Sequence, residues 1–187
     1  MSKIYFAHPV WTYGTYFEEQ VLEALAQDLR LSQYELVNPN GPEHQEGYKA
    51  KGWKYFEDLV DSCDAVVYAV GDLPVWLGGI PAGVWGEAAR AQTLGKPCWE
   101  YTDDVGFCLM SEKDESQGQY STFFHDTRPL SVNETRELRN IVLALQDAQA
   151  ALKATPVTAD LDQWQENLKQ REKALESIGK VNFPSRR

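Results

Sequence analysis

DAVVYAV at residues 64–70 is the stretch that decides the fold, because it is an almost unbroken apolar run. Runs of this kind form strands that are covered on both faces, as in the centre of a parallel sheet. A loop rich in glycine and proline follows at 71–81, and the segment AGVWGEAARA at 82–91 then begins a helix. The sequence therefore predicts a central strand, a loop and a helix in that order.

The same alternation extends outward on both sides of this stretch. Short apolar runs predict further strands at Ile4–Ala7, Tyr34–Val37 and Pro97–Tyr101. Helical spacing predicts a helix capped by Thr15, carrying Phe17, Val21, Leu22, Leu25 and Leu29, and a second helix over Tyr48–Ser62. Strands alternating with amphipathic helices predict an open parallel sheet with right-handed crossovers and helices on both faces, which we assign to a domain at 1–130.

The remainder of the chain predicts a helical hairpin at 131–187. SVNE at 131–134 has the pattern of a capping box, its helix runs to about Ala154, Pro156 breaks it, and a second helix runs from about Ala159 to Gly179. This hairpin either packs on itself or contributes an oligomer contact. Within the first domain, 107–110 and 122–124 are candidate short strands.

Charge and composition exclude several classes of function. The 187 residues carry 28 acidic against 18 basic side chains, a net charge of −10, which disfavours binding to duplex nucleic acid or to an anionic membrane. No apolar run approaches the roughly 20 residues that span a bilayer. The three cysteines form neither a closely spaced metal pair nor an even disulfide set. We expect a cytoplasmic protein with a small-molecule ligand.

Polar side chains follow each predicted strand at the point where the strand ends. They are His8 and Tyr13, then Asn38 and Asn40, then Asp72, with Glu87 in the helix that follows. Ligands of open α/β sheets bind beyond the carboxyl ends of the strands. These loops therefore predict one binding site at that edge.

Glu87 is the strongest candidate for chemistry. We expect it near the start of its helix, where the helix dipole favours the anion and keeps the carboxyl pKa low. An ionised carboxylate suits a nucleophile, although a glutamate here can also serve only to complement the dipole. Gly83 and Gly86 favour a direct role, because glycines beside a carboxylate let a ligand approach the backbone.

Other candidates are weighed against simpler explanations. His8 can move a proton near neutral pH or merely cap local backbone. Trp11, Tyr13, Trp76 and Trp85 can stack on a planar base or pack in the core. Asp58 and Asp61 lack an accompanying histidine, so they indicate a solvated helix face and no metal site. Gly78-Gly79 matches neither phosphate-binding fingerprint.

Four segments together resemble one family, the nucleoside 2-deoxyribosyltransferase superfamily, which also contains deoxynucleotide N-hydrolases. They are KIYFAHP, LVNPN, FEDLVDSCDAVVYAVGD and AGVWGEAARAQTLGKPCW, and they lie between Lys3 and Trp99. The resemblance implies a flavodoxin-like fold, no cofactor, a nucleoside or nucleotide substrate and a homo-oligomer. It also implies that Glu87 attacks the anomeric carbon of the sugar, with Tyr5 and Gly83 beside it.

The chain departs from the family pattern at the groups that would handle the proton. Phe56 occupies the position of a family aspartate, with Asp58 as its neighbour, and Pro81 replaces an acidic or small polar residue. We assign proton donation to His8 or Asp72, and substrate contacts to Tyr5, Tyr13, Asn40, Gly83, Trp85 and Asp58.

Two other classes of function stay open from the sequence. The departures also suit a non-catalytic nucleotide-binding module whose helical hairpin docks a partner. A flavin carrier rests on analogy of fold alone.

Overall fold

A computed structural model of the protein describes residues 1–71, 79–110 and 128–154, with side chains as far as 151. Its main sheet has five strands in the order β2-β1-β3-β5-β6. These are β1 (Lys3–Ala7), β2 (Glu35–Val37), β3 (Ala65–Tyr68), β5 (Cys98–Thr102) and β6 (Gly106–Leu109). The first four run parallel to one another, which confirms an α/β protein with a mostly parallel central sheet.

Strand alternation divides the sheet into two covered faces. Tyr5 and Ala7 of β1 lie on one side, here called face A, and Ile4 and Phe6 lie on the other, face B. Face A packs against two helices, α3 (Trp53–Ser62) and α4 (Ala82–Thr93), through residues such as Val60, Val84, Ala88 and Ala91. Face B packs against α1 (Tyr16–Gln27) through Val21 and Leu25. Every residue of β3 is buried because both faces are covered.

The predicted helix at Tyr48–Ser62 is wrong in its extent, because two helices occupy this region. α2 (Pro42–Lys51) ends at Gly52, and α3 begins at Trp53. Gly52 has φ +59°, a left-handed conformation that glycine adopts without the steric penalty of a side chain. This backbone reversal separates two helices that hydrophobic periodicity alone had joined.

The first helix also differs from its prediction in detail. Thr15 lies at the N-cap position of α1, yet its hydroxyl donates to the Thr12 carbonyl oxygen at 2.6 Å and makes no capping bond. Leu29 lies beyond the end of α1 and is exposed, so it is not part of the apolar stripe.

The edge of the main sheet departs from the predicted all-parallel arrangement. β5 and β6 pair antiparallel, with Thr102 opposite Gly106. Only three residues join them, and a parallel connection needs a crossover of a dozen or more. A separate, short parallel pair joins β4 (Gly79–Ile80) to β7 (Arg128–Pro129).

The chain divides into two compact units between Val132 and Asn133. Helix α5 (Val132–Ala154) matches the first helix of the predicted hairpin. The second predicted helix and the candidate strand at 122–124 lie outside the described residues. Among the helices that the structure describes, none is long and apolar enough to cross a membrane.

Candidate functional site

Glu87 lies on α4 and contacts β1. The hydroxyl of Tyr5, the middle residue of β1, donates a hydrogen bond to Glu87 Oε1 at 3.0 Å. Only 7% of Glu87 is exposed, and Tyr5 is fully buried. Within the described part of the chain, no hydrogen bond reaches the other carboxyl oxygen, Oε2. The site therefore contains a buried carboxyl group with one donor and one oxygen left over.

The expected low pKa of Glu87 is wrong. Burial raises the pKa of Glu87 to about 8, and the bond from Tyr5 only partly opposes that shift. The prediction failed because α4 begins at Ala82, which puts Glu87 in the second turn, beyond the amides that a helix leaves unpaired. Desolvation consequently dominates over the dipole.

Tyr13 lies beside this carboxyl group, in the loop after β1. Burial raises the pKa of Tyr13, and the neighbouring Glu87 and Glu18 carboxylates raise it further. Burial and Glu87 likewise raise the pKa of Tyr5 well above its usual value. Both phenols therefore keep their protons at neutral pH and can serve Glu87 only as neutral hydrogen-bond donors.

His8 packs between rings, with Phe6 stacked at 4.0 Å and Tyr13 tilted at 4.6 Å between ring centroids. Its Nδ1 lies 2.8 Å from Thr12 Oγ1, and its Nε2 lies 3.1 Å from Asn38 Oδ1. Burial lowers the pKa of His8 to about 4, although Asn38 and Glu18 oppose the shift. The ring is neutral at physiological pH.

The surrounding partners decide which nitrogen of His8 carries the proton. Asn38 Nδ2 donates to the Glu18 carboxylate at 2.7 Å, and Asn38 Oδ1 accepts from the backbone N–H of Asn40 at 3.0 Å. Asn38 Oδ1 thus accepts, so His8 Nε2 must donate to it, which leaves Nδ1 as an acceptor in the neutral ring. The single proton of the Thr12 hydroxyl lies within reach of both His8 Nδ1 at 2.8 Å and the Pro9 carbonyl oxygen at 2.7 Å, so it can bond only one of them at a time. Both nitrogens are engaged, and the predicted role of His8 as proton donor requires breaking one of these bonds.

Glu18 is the hub of this network. The Asn38 and Asn40 side-chain amides donate to its carboxylate at 2.7–3.1 Å, and the Gly14 backbone N–H donates to Oε2. Burial opposes the ionisation of Glu18, but these hydrogen bonds outweigh the effect of burial and lower the pKa of Glu18. Sequence analysis missed Glu18, because a glutamate in an amphipathic helix normally faces solvent and its amide partners lie some twenty residues away.

The prediction that Gly83 and Gly86 of α4 lie open to a ligand is wrong. The indole of Trp53 covers them: a Cβ at Gly83 would lie 3.3 Å from the ring, and one at Gly86 would lie 3.2 Å from it. Trp53 is itself 42% exposed, at the start of α3. The small residues beside Glu87 therefore accommodate an aromatic ring of the neighbouring helix.

The remaining predicted site residues are placed as follows. Asn40 joins the Glu18 network, and Trp85 is half-buried against the face A core. Asp58 lies on the outer side of α3, where it pairs with Lys51 at 3.1 Å and Lys54 at 3.2 Å. These contacts fit the solvated face and do not join Asp58 to Glu87. Asp72 and Trp76 lie outside the described residues.

A third buried carboxyl group, besides Glu87 and Glu18, is Glu100 in the middle of β5. Strand alternation puts its side chain on face A, opposite Tyr68 in the register. Burial raises the pKa of Glu100 to about 7, which the Tyr68 hydroxyl partly opposes. Its Oε1 has no hydrogen-bond partner among the described residues. Sequence analysis gave Glu100 no role because a single polar residue hardly weakens the apolar pattern of a strand.

The described residues contain no group of three histidine, cysteine or carboxylate side chains that could hold a metal ion. A comparison of the chain with protein-family models found no match, and a search of curated proteins found none either.

Proposed function

We propose that this protein acts on the N-glycosidic bond of a deoxynucleoside or deoxynucleotide, by base exchange or hydrolysis, with Glu87 as the nucleophile. The fold we propose is flavodoxin-like, as in the nucleoside 2-deoxyribosyltransferase superfamily that the sequence resembles. The observation that carries the proposal is the buried Glu87 carboxyl group, to which the Tyr5 hydroxyl donates at 3.0 Å.

In this mechanism the unengaged Oε2 of Glu87 attacks the anomeric carbon of the sugar. The bond to the base breaks with its electron pair leaving on the base nitrogen, and a proton must reach that nitrogen as it departs. A second base or a water molecule then attacks the same carbon, releases the Glu87 carboxylate and yields exchange or hydrolysis. Of the two residues that the sequence assigns to proton donation, His8 is neutral at physiological pH because burial lowers its pKa to about 4, so we keep Asp72 as the proposed donor.

Burial gives Glu87 both an advantage and a cost as a nucleophile. A desolvated carboxylate has no water shell to shed before it attacks, and it stabilises a developing oxocarbenium ion more strongly than one in water. A pKa of about 8 means, however, that only about a tenth of the molecules carry the ionised form at pH 7. Turnover should therefore rise with pH up to about pH 8 or beyond.

Base release tests the proposal directly. The protein is incubated with deoxynucleosides and their 5′-monophosphates, with and without a free acceptor base, and products are separated by chromatography. We expect free base from at least one substrate, and loss of about 10⁴-fold or more in Glu87→Gln. The matched control is Glu100→Gln, which neutralises another buried carboxyl group on the same face. Equal rates in the parent and in Glu87→Gln would refute the assignment.

A second candidate function follows from the ionisation of Glu87. A carboxyl group that is mostly protonated at pH 7 presents one donor and one acceptor, a pair that can hydrogen-bond the edge of a nucleobase without reacting. A nucleotide-binding module of this kind would bind nucleotides without releasing base. It would also keep its affinity in Glu87→Gln, whose amide preserves the donor and the acceptor.

A further inference from the structure

We propose that Glu18 is a positioning residue of the candidate site: its carboxylate joins the loop after β1 to the loop after β2, and so keeps Tyr13 beside Glu87. This role goes beyond the proposed reaction and does not depend on it, because it concerns how the site is held and not what Glu87 does to a ligand.

The first step is the number of bonds that converge on one carboxylate. Oε1 accepts from Asn38 at 2.7 Å and from Asn40 at 3.1 Å, while Oε2 accepts from Asn40 at 2.9 Å and from the Gly14 backbone. The donors come from two different loops, and the acceptor comes from α1. Only 3% of Glu18 is exposed, so water cannot substitute for a lost partner.

The Glu18 carboxylate holds Tyr13 from two sides. Gly14, the next residue along the chain, has φ +67° and donates its N–H to Glu18, which fixes the backbone directly after Tyr13. On the other side the Tyr13 ring packs on His8, and His8 is held by Asn38, which is itself held by Glu18. The Glu18 carboxylate therefore holds the backbone after Tyr13 directly, and it holds the His8 ring that packs on Tyr13 through Asn38.

The third step connects Tyr13 to the environment of Glu87. The titratable groups of the described chain that act on this region are Tyr5 from β1, Tyr13 from the loop, Glu18 from α1, and Cys63, which lies near Tyr5 at the end of α3. None of these groups carries a positive charge. The ionisation of Glu87 consequently depends on how well its neighbours exclude water, and Tyr13 is the neighbour that a loop alone holds in place.

Glu18→Gln is the sharpest perturbation of this hub. It keeps the volume of the side chain, but whichever way the new amide turns, its NH₂ faces donors where Glu18 offered an acceptor. The loops should separate, Tyr13 should move and water should reach Glu87. Glu23→Gln is the matched control, because Glu23 lies exposed on the same helix and bonds only Gln27.

The readout is the titration of the Glu87 carboxyl carbon by ¹³C NMR, assigned through its absence in Glu87→Gln. The parent should titrate near pH 8, Glu23→Gln should match it, and Glu18→Gln should titrate at least one pH unit lower, a tenfold or greater gain in acidity. A role in stability alone would leave this midpoint unchanged in the folded protein.

If Glu18→Gln does not fold, Asn40→Ala removes two of the bonds to Glu18 and should shift the midpoint in the same direction by a smaller amount. An unchanged Glu87 midpoint in the folded variant overturns the inference, whatever the parent does to nucleosides. Conversely, a shifted midpoint in a protein that releases no base supports the role of Glu18 and refutes the proposed reaction.

Discussion

Replacement of Glu87 by glutamine should change how the stability of the protein depends on pH. The carboxyl group has a pKa of about 8 in the folded protein and a usual value of 4.5. The folded state therefore binds the proton more tightly than the unfolded state. The stability that Glu87 contributes is fully present below about pH 4.5 and is lost as the pH rises toward 8.

The magnitude follows from the gap between those two values. Between them the unfolded state is ionised and the folded state is still protonated, so each pH unit costs the parent about 1.4 kcal/mol of unfolding free energy. By pH 7 the accumulated loss is about 3 kcal/mol, and above pH 8 it levels off. Glutamine cannot ionise, so Glu87→Gln should gain stability relative to the parent by that amount across the same range.

Urea unfolding of the parent and the variant at half-unit steps from pH 4.5 to pH 9 measures this difference. Glu100→Gln provides a second test, because its advantage should level off near pH 7, one unit earlier. Glu23→Gln is the control for the change of residue type, because Glu23 is exposed on α1. A difference between Glu87→Gln and the parent that stays constant from pH 5 to pH 7.5 would show that Glu87 ionises normally, and the account of the site by desolvation would fail.

Two further outcomes are expected. Tyr5→Phe removes the hydrogen bond that favours the ionised form of Glu87, so the Glu87 pKa should rise above about 8. The ¹³C titration of the Glu87 carboxyl carbon measures this shift. A fall in the Glu87 pKa would mean that water had replaced the Tyr5 hydroxyl. Gly52→Ala forces a side chain into φ +59° and should lower the free energy of unfolding by about 1–3 kcal/mol, whereas Lys49→Ala on the neighbouring helix should change it little in the same urea experiment.

The parts of the fold that hydrophobic pattern determines could be predicted from the sequence. Residues 65–68 form the central strand because every one of them is buried, so nothing polar interrupts the run. α2 could not be predicted from hydrophobic pattern, because none of its residues is buried and a helix without a buried face has no apolar periodicity. Its only local signals were Pro42 at the start and Gly52 after the end.

In the candidate site, too, some features could be predicted from the sequence and others could not. The meeting of the loops after β1 and β2, where His8 contacts Asn38, could be predicted, since parallel strands bring successive loops to one edge. The ionisation of the site could not, because the pKa of Glu87 depends on where α4 begins, on how completely the side chain is buried and on the bond from Tyr5. Those are properties of packing between segments distant in sequence.

Two carboxyl groups near Tyr13, those of Glu18 and Glu87, differ in their ionisation, and this contrast supports the roles proposed for them. Glu18 collects donors from two loops, so its charge is satisfied and fixed and its proton is unavailable near neutral pH. Glu87 has a single donor, so small changes in its surroundings move it between the neutral and the charged form. Environments that drive two neighbouring pKa values apart separate a structural group from a reactive one. A ligand that brings positive charge to Glu87, such as a sugar developing oxocarbenium character, would favour its ionised form while leaving Glu18 unchanged.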